Sequence, residues 1–184
     1  MRKNFGPKPM LYPMPVFIIG TYNEDGTPNA MNAAWGGMAD TELISICLGE
    51  HRTTRNIFAR KAFTVSMADA ANVVAADYVG IVSGNQEPKK LEKAGWHTTK
   101  SSFVDAPLIN ELPMALECEF ISYDEQTGLL LGKIVNVCAE ERILTDGKID
   151  LSKFHPITYD PRGHGYYTLG QTVGNAFADG KQLK

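Results

Sequence analysis

The sequence lacks the marks of several large classes of protein. No apolar run reaches the roughly 18 residues of a membrane-spanning helix, and no apolar segment follows Arg2 and Lys3 as it would in a signal peptide. The formal net charge is −3, so the composition offers no basic face of the kind that binds nucleic acid. We therefore expect a cytoplasmic protein whose partners include neither a membrane nor a nucleic acid.

Motifs for several kinds of chemistry are also absent. The chain has no Gly-x-Gly-x-x-Gly or Walker loop, no Gly-x-Ser-x-Gly elbow and no two histidines at metal-binding spacing. We expect no doubly wound dinucleotide fold, no serine hydrolase and no metal site. Cysteine is scarce, and no Cys-x-x-Cys pair is present. The cysteines lie in strand-like apolar runs: Cys47, Cys118 and Cys138. Such runs predict buried thiols, and the role of Cys47 stays open.

Short strand patterns make up most of what is present. Apolar, β-branched and alternating runs predict strands at residues 15–21, 28–35, 43–48, 62–67, 116–123 and 129–139. The dipeptide Asp25-Gly26 predicts a hairpin turn between the first two strands, and Asp146-Gly147 predicts another turn later. We expect the last two strands in this set to form a hairpin of their own.

Helical patterns are short and number three: residues 51–60, 72–78 and 88–94. Thr53 or Thr54 is expected to cap the first helix, and Gly95 is expected to end the third. From residue 159 onward the chain is rich in glycine and tyrosine and predicts no regular element apart from residues 173–177.

Many short strands with a few short helices predict a mainly β fold. We expect a small antiparallel β-barrel with short helices, because such strands bury their apolar faces by closing on one another. A length of 184 residues suits one domain. We therefore predict a single domain over residues 1–184, with a C-terminal arm from about residue 155.

The segment from Asn29 to Trp35 combines small residues with bulkier ones at each end. Ala30, Ala33 and Ala34 leave room for a flat ligand to approach the backbone. The backbone amide and carbonyl groups there can pair with a ring that carries donors and acceptors along its edge. The alternative interpretation is an ordinary barrel strand followed by a turn at Gly36-Gly37.

A second polar cluster, from His51 to Asn56, lies where a helix is expected to begin. It holds two arginines, two threonines and an amide. Helix N-termini attract phosphate through their free N–H groups and the helix dipole, and arginine adds a planar bidentate contact. The cluster therefore suits a phosphate, and the alternative is a capping turn with solvated charges. A third cluster, Ser83-Gly84-Asn85 followed by two lysines, indicates little by itself beyond a turn and a charged helix face.

The order of these clusters along the chain resembles the flavin reductase family. The matching runs are P-x-P-V-x-x-x-G-T, D-G-x-P-N-x-M-N-A-A-W, R-T-T-x-N-I and S-G with a following K-x-L-E-K-A-G. The similarity covers roughly residues 10–175 and is nearest to the flavoredoxin-like branch. It implies an FMN-binding split barrel, a Greek-key antiparallel barrel.

The resemblance also implies which residues contact the flavin. One strand would line the isoalloxazine ring: Asn29, Met31, Asn32, Ala33, Ala34 and Trp35. The end of the next strand would bring Cys47 and Leu48 to the ring edge. The following segment would reach the ribityl chain and phosphate: Arg52, Thr53, Thr54 and Asn56.

Three further parts of the chain complete the implied site. Ser83 and Gly84 would close the pocket, and Lys90 would lie on its phosphate side, with Lys89 as the fallback. The family usually reads S-G-R-D-x-D-K here, whereas this chain lacks the arginine and both aspartates. Tyr166, or its neighbour in the tail, would stack or hydrogen-bond near the flavin. The alternative for the tail is an arm that packs on a dimer partner.

The function that the resemblance implies is an FMN-binding flavoprotein that works as an NAD(P)H-linked flavin reductase. The flavin would carry the chemistry, so no side-chain acid or base is required. We expect a homodimer with flavin near the subunit interface, and a redox partner protein or free flavin as electron acceptor. Two alternatives stay open: an FMN electron carrier without reductase turnover, and a split barrel that holds another group such as haem or pyridoxal phosphate.

Overall fold

The structure, a computed structural model, describes residues 1–184 and consists mainly of antiparallel strands. The strands are β1 (Met14–Pro15), β2 (Phe17–Tyr22), β3 (Pro28–Ala33), β4 (Gly36–Asp40), β5 (Leu43–Cys47), β6 (Ala62–Met67), β7 (Thr98–Lys100), β8 (Pro107–Ile109), β9 (Met114–Asp124), β10 (Leu129–Ala139), β11 (Leu144–Thr145), β12 (Lys148–Ile149), β13 (Ile157–Tyr159) and β14 (Tyr166–Thr168). The helices are α1 (Arg52–Arg60), α2 (Val73–Ile81) and α3 (Lys90–Lys93). None of the helices combines the length and the apolar composition that crossing a membrane requires.

Seven strands form one curled antiparallel sheet, the half-barrel, in the order β3-β2-β6-β9-β10-β5-β4. The predicted hairpins β2–β3 and β9–β10 are both present. The β9–β10 ladder shifts register beside Gly132, where a Cβ would overlap the ring of Phe63. Such bulges bend a strand and sharpen its twist, which helps this sheet to curl. The predicted mainly β barrel class is confirmed.

The half-barrel is apolar on both faces at its centre. Along β2, Phe17 and Ile19 point into one core, which also holds Ile57 of α1. Val16 and Ile18 point into a second core, because successive side chains of a strand alternate between its faces. Helices α2 and α3 and the loop that follows α3 cover that second core. Helix α1 on one face of the sheet and helices α2 and α3 on the other therefore pack against the same strand, β2.

The tail departs from the sequence-based expectation. Strand β14 lies in the tail predicted to be irregular from residue 159, and β13 ends at the start of that tail; the two form a small three-stranded sheet with β1, in the order β1-β13-β14. Residues 173–177 form no regular element, and a 3-10 helix lies instead at Asp179–Leu183. The prediction failed because these strands are two or three residues long and the partner of β13 lies at the other end of the chain.

One alternative interpretation and one prediction for segments around the half-barrel are also wrong. Gly36-Gly37 is the start of β4 and not a turn, and Gly36 packs so tightly that a Cβ would lie 2.5 Å from the carbonyl oxygen of Ser45. His51, not a threonine, occupies the N-cap of α1 and makes no side-chain capping bond. The threonines are already engaged elsewhere, because Thr53 accepts a bond from Asn29 and Thr54 donates to Gly49.

Candidate functional site

A pocket opens where edge strand β3, the first turn of α1 and the loop after α2 meet. It encloses about 200 Å³, and we call it the Lys90 pocket. Its lining brings together residues from three separate sequence clusters that were predicted to share a site: Asn29, Met31, Arg52, Thr53, Ser83, Gly84 and Lys90. The clustering is therefore a property of the fold and not only of the order of the motifs.

Hydrogen bonds and close packing join the three segments of the Lys90 pocket. The Nδ2 of Asn29 donates to the Oγ1 of Thr53 at 2.8 Å, and both side chains are buried. Arg52 donates from Nη1 to the carbonyl oxygen of Gly84. Gly84 itself lies against the strand, since a Cβ there would be 2.5 Å from the Oδ1 of Asn29. The pocket wall is thus held in place without any ligand.

Lys90 carries its charge inside the protein. The residue is only 4% exposed, and its Nζ donates to the carbonyl oxygens of Val79 (3.2 Å) and Val82 (3.1 Å) at the end of α2. Burial, with a smaller contribution from the positive charge of Arg52, lowers the pKa of Lys90 from 10.5 to about 8. Lys89 points outward and pairs with Glu92, so of the two lysines only Lys90 lines this pocket.

The Lys90 pocket has the electrostatic character of an anion site. Neither Lys90 nor Arg52 forms an ion pair with a carboxylate. The one acidic residue in the lining, Glu50, is exposed. The first turn of α1 adds N–H groups and the positive end of the helix dipole. A buried cation without a counter-charge is costly, so a bound phosphate would complete this arrangement.

A second pocket, of about 310 Å³, lies beside the first and shares Gly80 and Ile81 with it. We call it the tyrosine pocket, and its lining is Asn32, Asp77, Gly80, Ile81, Tyr159, His164 and Tyr166. Asn32 reaches across to the carbonyl oxygen of Ala76 at 3.1 Å. The hydroxyl of Tyr166 donates to Asp77 at 2.8 Å. Burial and this bond raise the pKa of Tyr166 to about 12.

The remaining predicted residues lie elsewhere in the chain. Ala34 and Trp35 line a groove with residues 8–15, and Trp35 is 54% exposed. The others line neither pocket. Ala33 and Leu48 pack against the barrel core, and the Sγ of Cys47 donates to Thr127. Thr54 donates to Gly49, and Asn56 donates to Thr21 and Asn23. Within one chain, these five residues have structural partners and no access to the Lys90 pocket.

Sequence reasoning missed several lining residues. The end of α2 supplies the carbonyl groups that hold Lys90, and Asp77 and His164 enter the tyrosine pocket. No motif points to Asp77, because its role depends on the position of Tyr166 in the tail. No motif points to His164 either, since its contact with Tyr159 is visible only once β13 and β14 are paired.

A curled antiparallel half-barrel with an anion pocket beside its edge strand is the architecture of a cofactor-binding split barrel. The chain belongs to the flavin reductase-like family, since the model of the Flavin reductase like domain matches residues 10–165. This confirms the family inferred from the motifs.

Solved structures and a sequence relative agree with this assignment. The flavoredoxin of Desulfovibrio vulgaris (Miyazaki F) is 38% identical and superposes with a TM-score of 0.94, over 98% of this chain and 100% of that one. The flavoredoxin from Methanosarcina acetivorans is 26% identical, with a TM-score of 0.89 over 100% of both chains. The uncharacterized protein YdfE of Bacillus subtilis is 26% identical over 95% of this chain and 93% of its own length. These likenesses support a flavin-related protein.

Proposed function

We propose that this protein binds FMN with its phosphate in the Lys90 pocket and acts as an NAD(P)H-linked flavin oxidoreductase. The observation that carries the proposal is the ammonium group of Lys90, which is buried beside Arg52 without a carboxylate partner. A phosphate would supply the missing negative charge through charge-assisted hydrogen bonds. Membership of the flavin reductase-like family supports a flavin as the group that carries this phosphate.

The chain's own residues would bind and orient the cofactor. Lys90 and Arg52 would hold the phosphate, while Thr53 and Ser83 offer hydroxyl groups in the same lining. The pocket volume of about 200 Å³ is below the roughly 300–1,000 Å³ of sites that enclose a whole drug-sized ligand. We therefore propose that the ring extends out of the pocket past Met31, which lines it on β3. Bound FMN would supply the hydride and electron transfer chemistry.

The proposal is tested by comparing FMN with riboflavin, which has the same ring and lacks the phosphate. We expect purified protein to bind FMN, seen as quenching of flavin fluorescence, and to bind riboflavin at least about 10-fold more weakly, as loss of a charged hydrogen bond implies. Equal affinity for both compounds would contradict a phosphate site. An absorption spectrum of the protein as isolated distinguishes flavin from haem and from pyridoxal phosphate.

The alternative role is an FMN electron carrier without reductase turnover, which the likeness to two flavoredoxins favours. The two roles differ in a measurable way. A reductase oxidises NADH or NADPH continuously when excess FMN is present, with a rate that rises with flavin concentration. In the absence of oxygen, a carrier oxidises at most one NAD(P)H for each bound flavin, a two-electron reduction, and then stops until a partner protein removes the electrons.

We also propose a homodimer in which the tail contributes to the subunit interface. The tail beyond β14 holds large apolar side chains that are almost fully exposed, with Val173 at 102% and Phe177 at 97%. Exposed apolar groups of this kind mark interaction surfaces. Light scattering should give twice the chain mass for the full protein, and a shortened chain that ends at residue 168 should give the monomer mass.

A further inference from the structure

A third pocket lies beside the small three-stranded sheet, where the N-terminal segment meets β13 and β14. It encloses about 510 Å³, within the roughly 300–1,000 Å³ of small-molecule sites, and we call it the Asp160 pocket. Its lining is Tyr12, Pro13, Thr158, Tyr159, Asp160 and Tyr167. None of these residues lines the Lys90 pocket, so the Asp160 pocket is separate from the proposed phosphate site.

Aromatic rings make up half of this lining, since three of the six residues are tyrosines. They come from three separate segments: Tyr12 precedes β1, Tyr159 lies on β13 and Tyr167 lies on β14. The hydroxyl of Tyr12 donates to Asp160, and that of Tyr159 contacts the Nδ1 of His164. The face of such a ring carries partial negative charge, which attracts a cation placed over it.

Asp160 adds a full negative charge to the pocket. Its Oδ1 accepts the hydroxyl of Tyr12 at 2.7 Å and the backbone N–H of Arg162 at 2.9 Å. The bond from Tyr12, helped by that from the backbone, holds the pKa of Asp160 below its usual value. The same bond raises the pKa of Tyr12. At neutral pH the pocket therefore holds an ionised carboxylate beside neutral phenol rings.

No cation of the protein neutralises this carboxylate. Neither lysine nor arginine lines the pocket, and Asp160 forms no ion pair. Arg162 follows in the same turn, but it is exposed and its guanidinium carbon lies 6.0 Å from the ring centroid of Phe5. The negative charge of Asp160 thus remains available to a positively charged ligand.

We propose that the Asp160 pocket binds a small quaternary ammonium compound, a free molecule that carries a trimethylammonium group. The tyrosine rings would contact the methyl groups, and Asp160 would supply the counter-charge, as in aromatic cages that recognise such groups. Metal ions and primary ammonium groups suit the pocket less, because they are strongly hydrated and need several oxygen acceptors. The Oδ1 of Asp160 is already engaged by two donors.

The first test compares choline with its neutral analogue, in which a carbon atom replaces the nitrogen. The two molecules have nearly the same shape and differ in charge. Titrations of the purified protein at constant ionic strength, followed by ligand-observed NMR, should show choline bound at least about 5-fold more tightly than the analogue. Equal affinity for the two compounds, or no binding of choline, would overturn the proposal.

The second test changes one ring of the pocket. Tyr167 is exposed, so its replacement leaves the cores of the protein intact. Tyr167→Leu removes the aromatic face, and we expect choline to bind about 5-fold more weakly. Tyr167→Phe keeps the ring and should retain the wild-type affinity. A leucine variant that binds choline as tightly as the phenylalanine variant would contradict recognition by an aromatic face.

The third test changes the charge. Asp160→Asn keeps an acceptor for Tyr12 and removes the carboxylate, and we expect choline affinity to fall by about 2- to 5-fold. Asp150→Asn is the matched control, because Asp150 also accepts the backbone N–H of the residue two positions on, at 2.8 Å, but lies outside the pocket. An equal loss in both variants would show an effect of net charge alone and would overturn the site.

This inference does not rest on the proposed function, and the two fail in different experiments. Choline is titrated with or without FMN, so protein that binds no FMN can still confirm the Asp160 pocket. Protein that binds FMN but not choline would overturn this inference alone. Thermal unfolding of each variant shows whether its fold is intact, so that a lost affinity can be assigned to the pocket.

Discussion

Asn29 and Thr53 are joined by a hydrogen bond of 2.8 Å from Nδ2 to Oγ1, and both side chains are buried. The bond fastens edge strand β3 to the first turn of α1, where the Lys90 pocket opens. Thr53 is the second residue of α1 and not its N-cap, so its hydroxyl is free to accept this bond from the strand. Preorganised pockets of this kind lose less freedom when a ligand binds.

Replacement of Thr53 tests this connection. In Thr53→Val the buried amide of Asn29 loses its acceptor, so we expect the free energy of unfolding to fall by about 1–3 kcal/mol and FMN affinity to fall with it. Thr53→Ser keeps the hydroxyl and should restore most of both losses. Urea unfolding and FMN titration measure the two effects. Because Thr53→Val keeps the methyl group that Thr53→Ser removes, a smaller loss in the valine variant than in the serine variant would show that methyl packing matters more than the hydrogen bond.

Lys90 and Lys89 are neighbours in sequence with opposite environments, which makes them a matched pair. In Lys90→Met the phosphate loses a charged donor, so we expect FMN to bind about 10- to 100-fold more weakly while riboflavin binding is unchanged. Lys89→Met removes an exposed charge paired with Glu92 and should leave both affinities unaltered. Equal effects of the two substitutions would place the phosphate outside the Lys90 pocket.

FMN affinity should depend on pH through Lys90. Its pKa in the ligand-free protein is about 8, lowered from 10.5 by burial. Below pH 8 the side chain is an ammonium that attracts phosphate, and above pH 8 it becomes neutral. We therefore expect the dissociation constant for FMN to be nearly constant around pH 7 and to rise above about pH 8, by up to tenfold per pH unit. The same titration of Lys90→Met should be flat over this range.

Stability of the ligand-free protein should show the opposite trend over the same range. Because the pKa of Lys90 is lower in the folded protein, the unfolded chain binds the extra proton between about pH 8 and pH 10.5, so stability gains a contribution as pH rises. Below pH 8 both states carry the proton and this contribution is absent. Urea unfolding of wild type and Lys90→Met at several pH values isolates the effect of this one group.

The parts of the fold that could be predicted are those for which the sequence carries a local signal. The hairpin β2–β3 follows from Asp25-Gly26 between two strand-like runs, and β9–β10 follows from alternating polarity on either side of a turn. Strands β13 and β14 carry no such signal, because they are three residues long and the partner of β13 comes from the N-terminal segment. Their pairing depends on the finished half-barrel.

The candidate site also contains residues that could be predicted from local motifs and residues that could not. Arg52, Thr53 and Gly84 belong to motifs that can be recognised in the sequence without knowledge of side-chain packing, and all three line the Lys90 pocket. The choice between two adjacent lysines cannot be made from sequence, because their chemistry is identical and only the orientation of the short helix α3 buries one of them. Asp77 was not predictable, because its significance comes from a tyrosine 89 residues further along the chain.

Gly84 offers a steric test of the pocket wall. A Cβ at this position would lie 2.5 Å from the Oδ1 of Asn29 and 3.4 Å from the Cδ of Arg52. Gly84→Ala must therefore displace the loop, and we expect a loss of about 1–3 kcal/mol in stability together with weaker FMN binding. Gly37→Ala on β4, where a Cβ meets nothing within 4 Å and which does not line the Lys90 pocket, is the control. FMN affinity equal to wild type in Gly84→Ala would mean that this loop does not shape the phosphate site.

Glu117 has a structural role that is independent of the flavin. The residue is buried, and its carboxylate accepts hydrogen bonds from the Oγ of Ser101 and the Nδ2 of Asn136. The same Ser101 oxygen accepts the backbone N–H groups of Phe103 and Val104, so the carboxylate orders the loop between β7 and β8. In Glu117→Ala both side-chain donors lose their acceptor, and we expect a loss of about 1–3 kcal/mol for each group left unpaired.

The control for Glu117 lies two residues along the same strand. Glu119 is exposed, so Glu119→Ala should change stability by no more than about 0.5 kcal/mol. Urea unfolding of the two variants should therefore give well-separated midpoints. FMN affinity of folded Glu117→Ala should equal that of wild type, because neither Glu117 nor its partners line the Lys90 pocket. A coincident midpoint for both variants would show that water replaces the carboxylate at little cost, and weakened FMN binding would show that β9 transmits strain to the pocket.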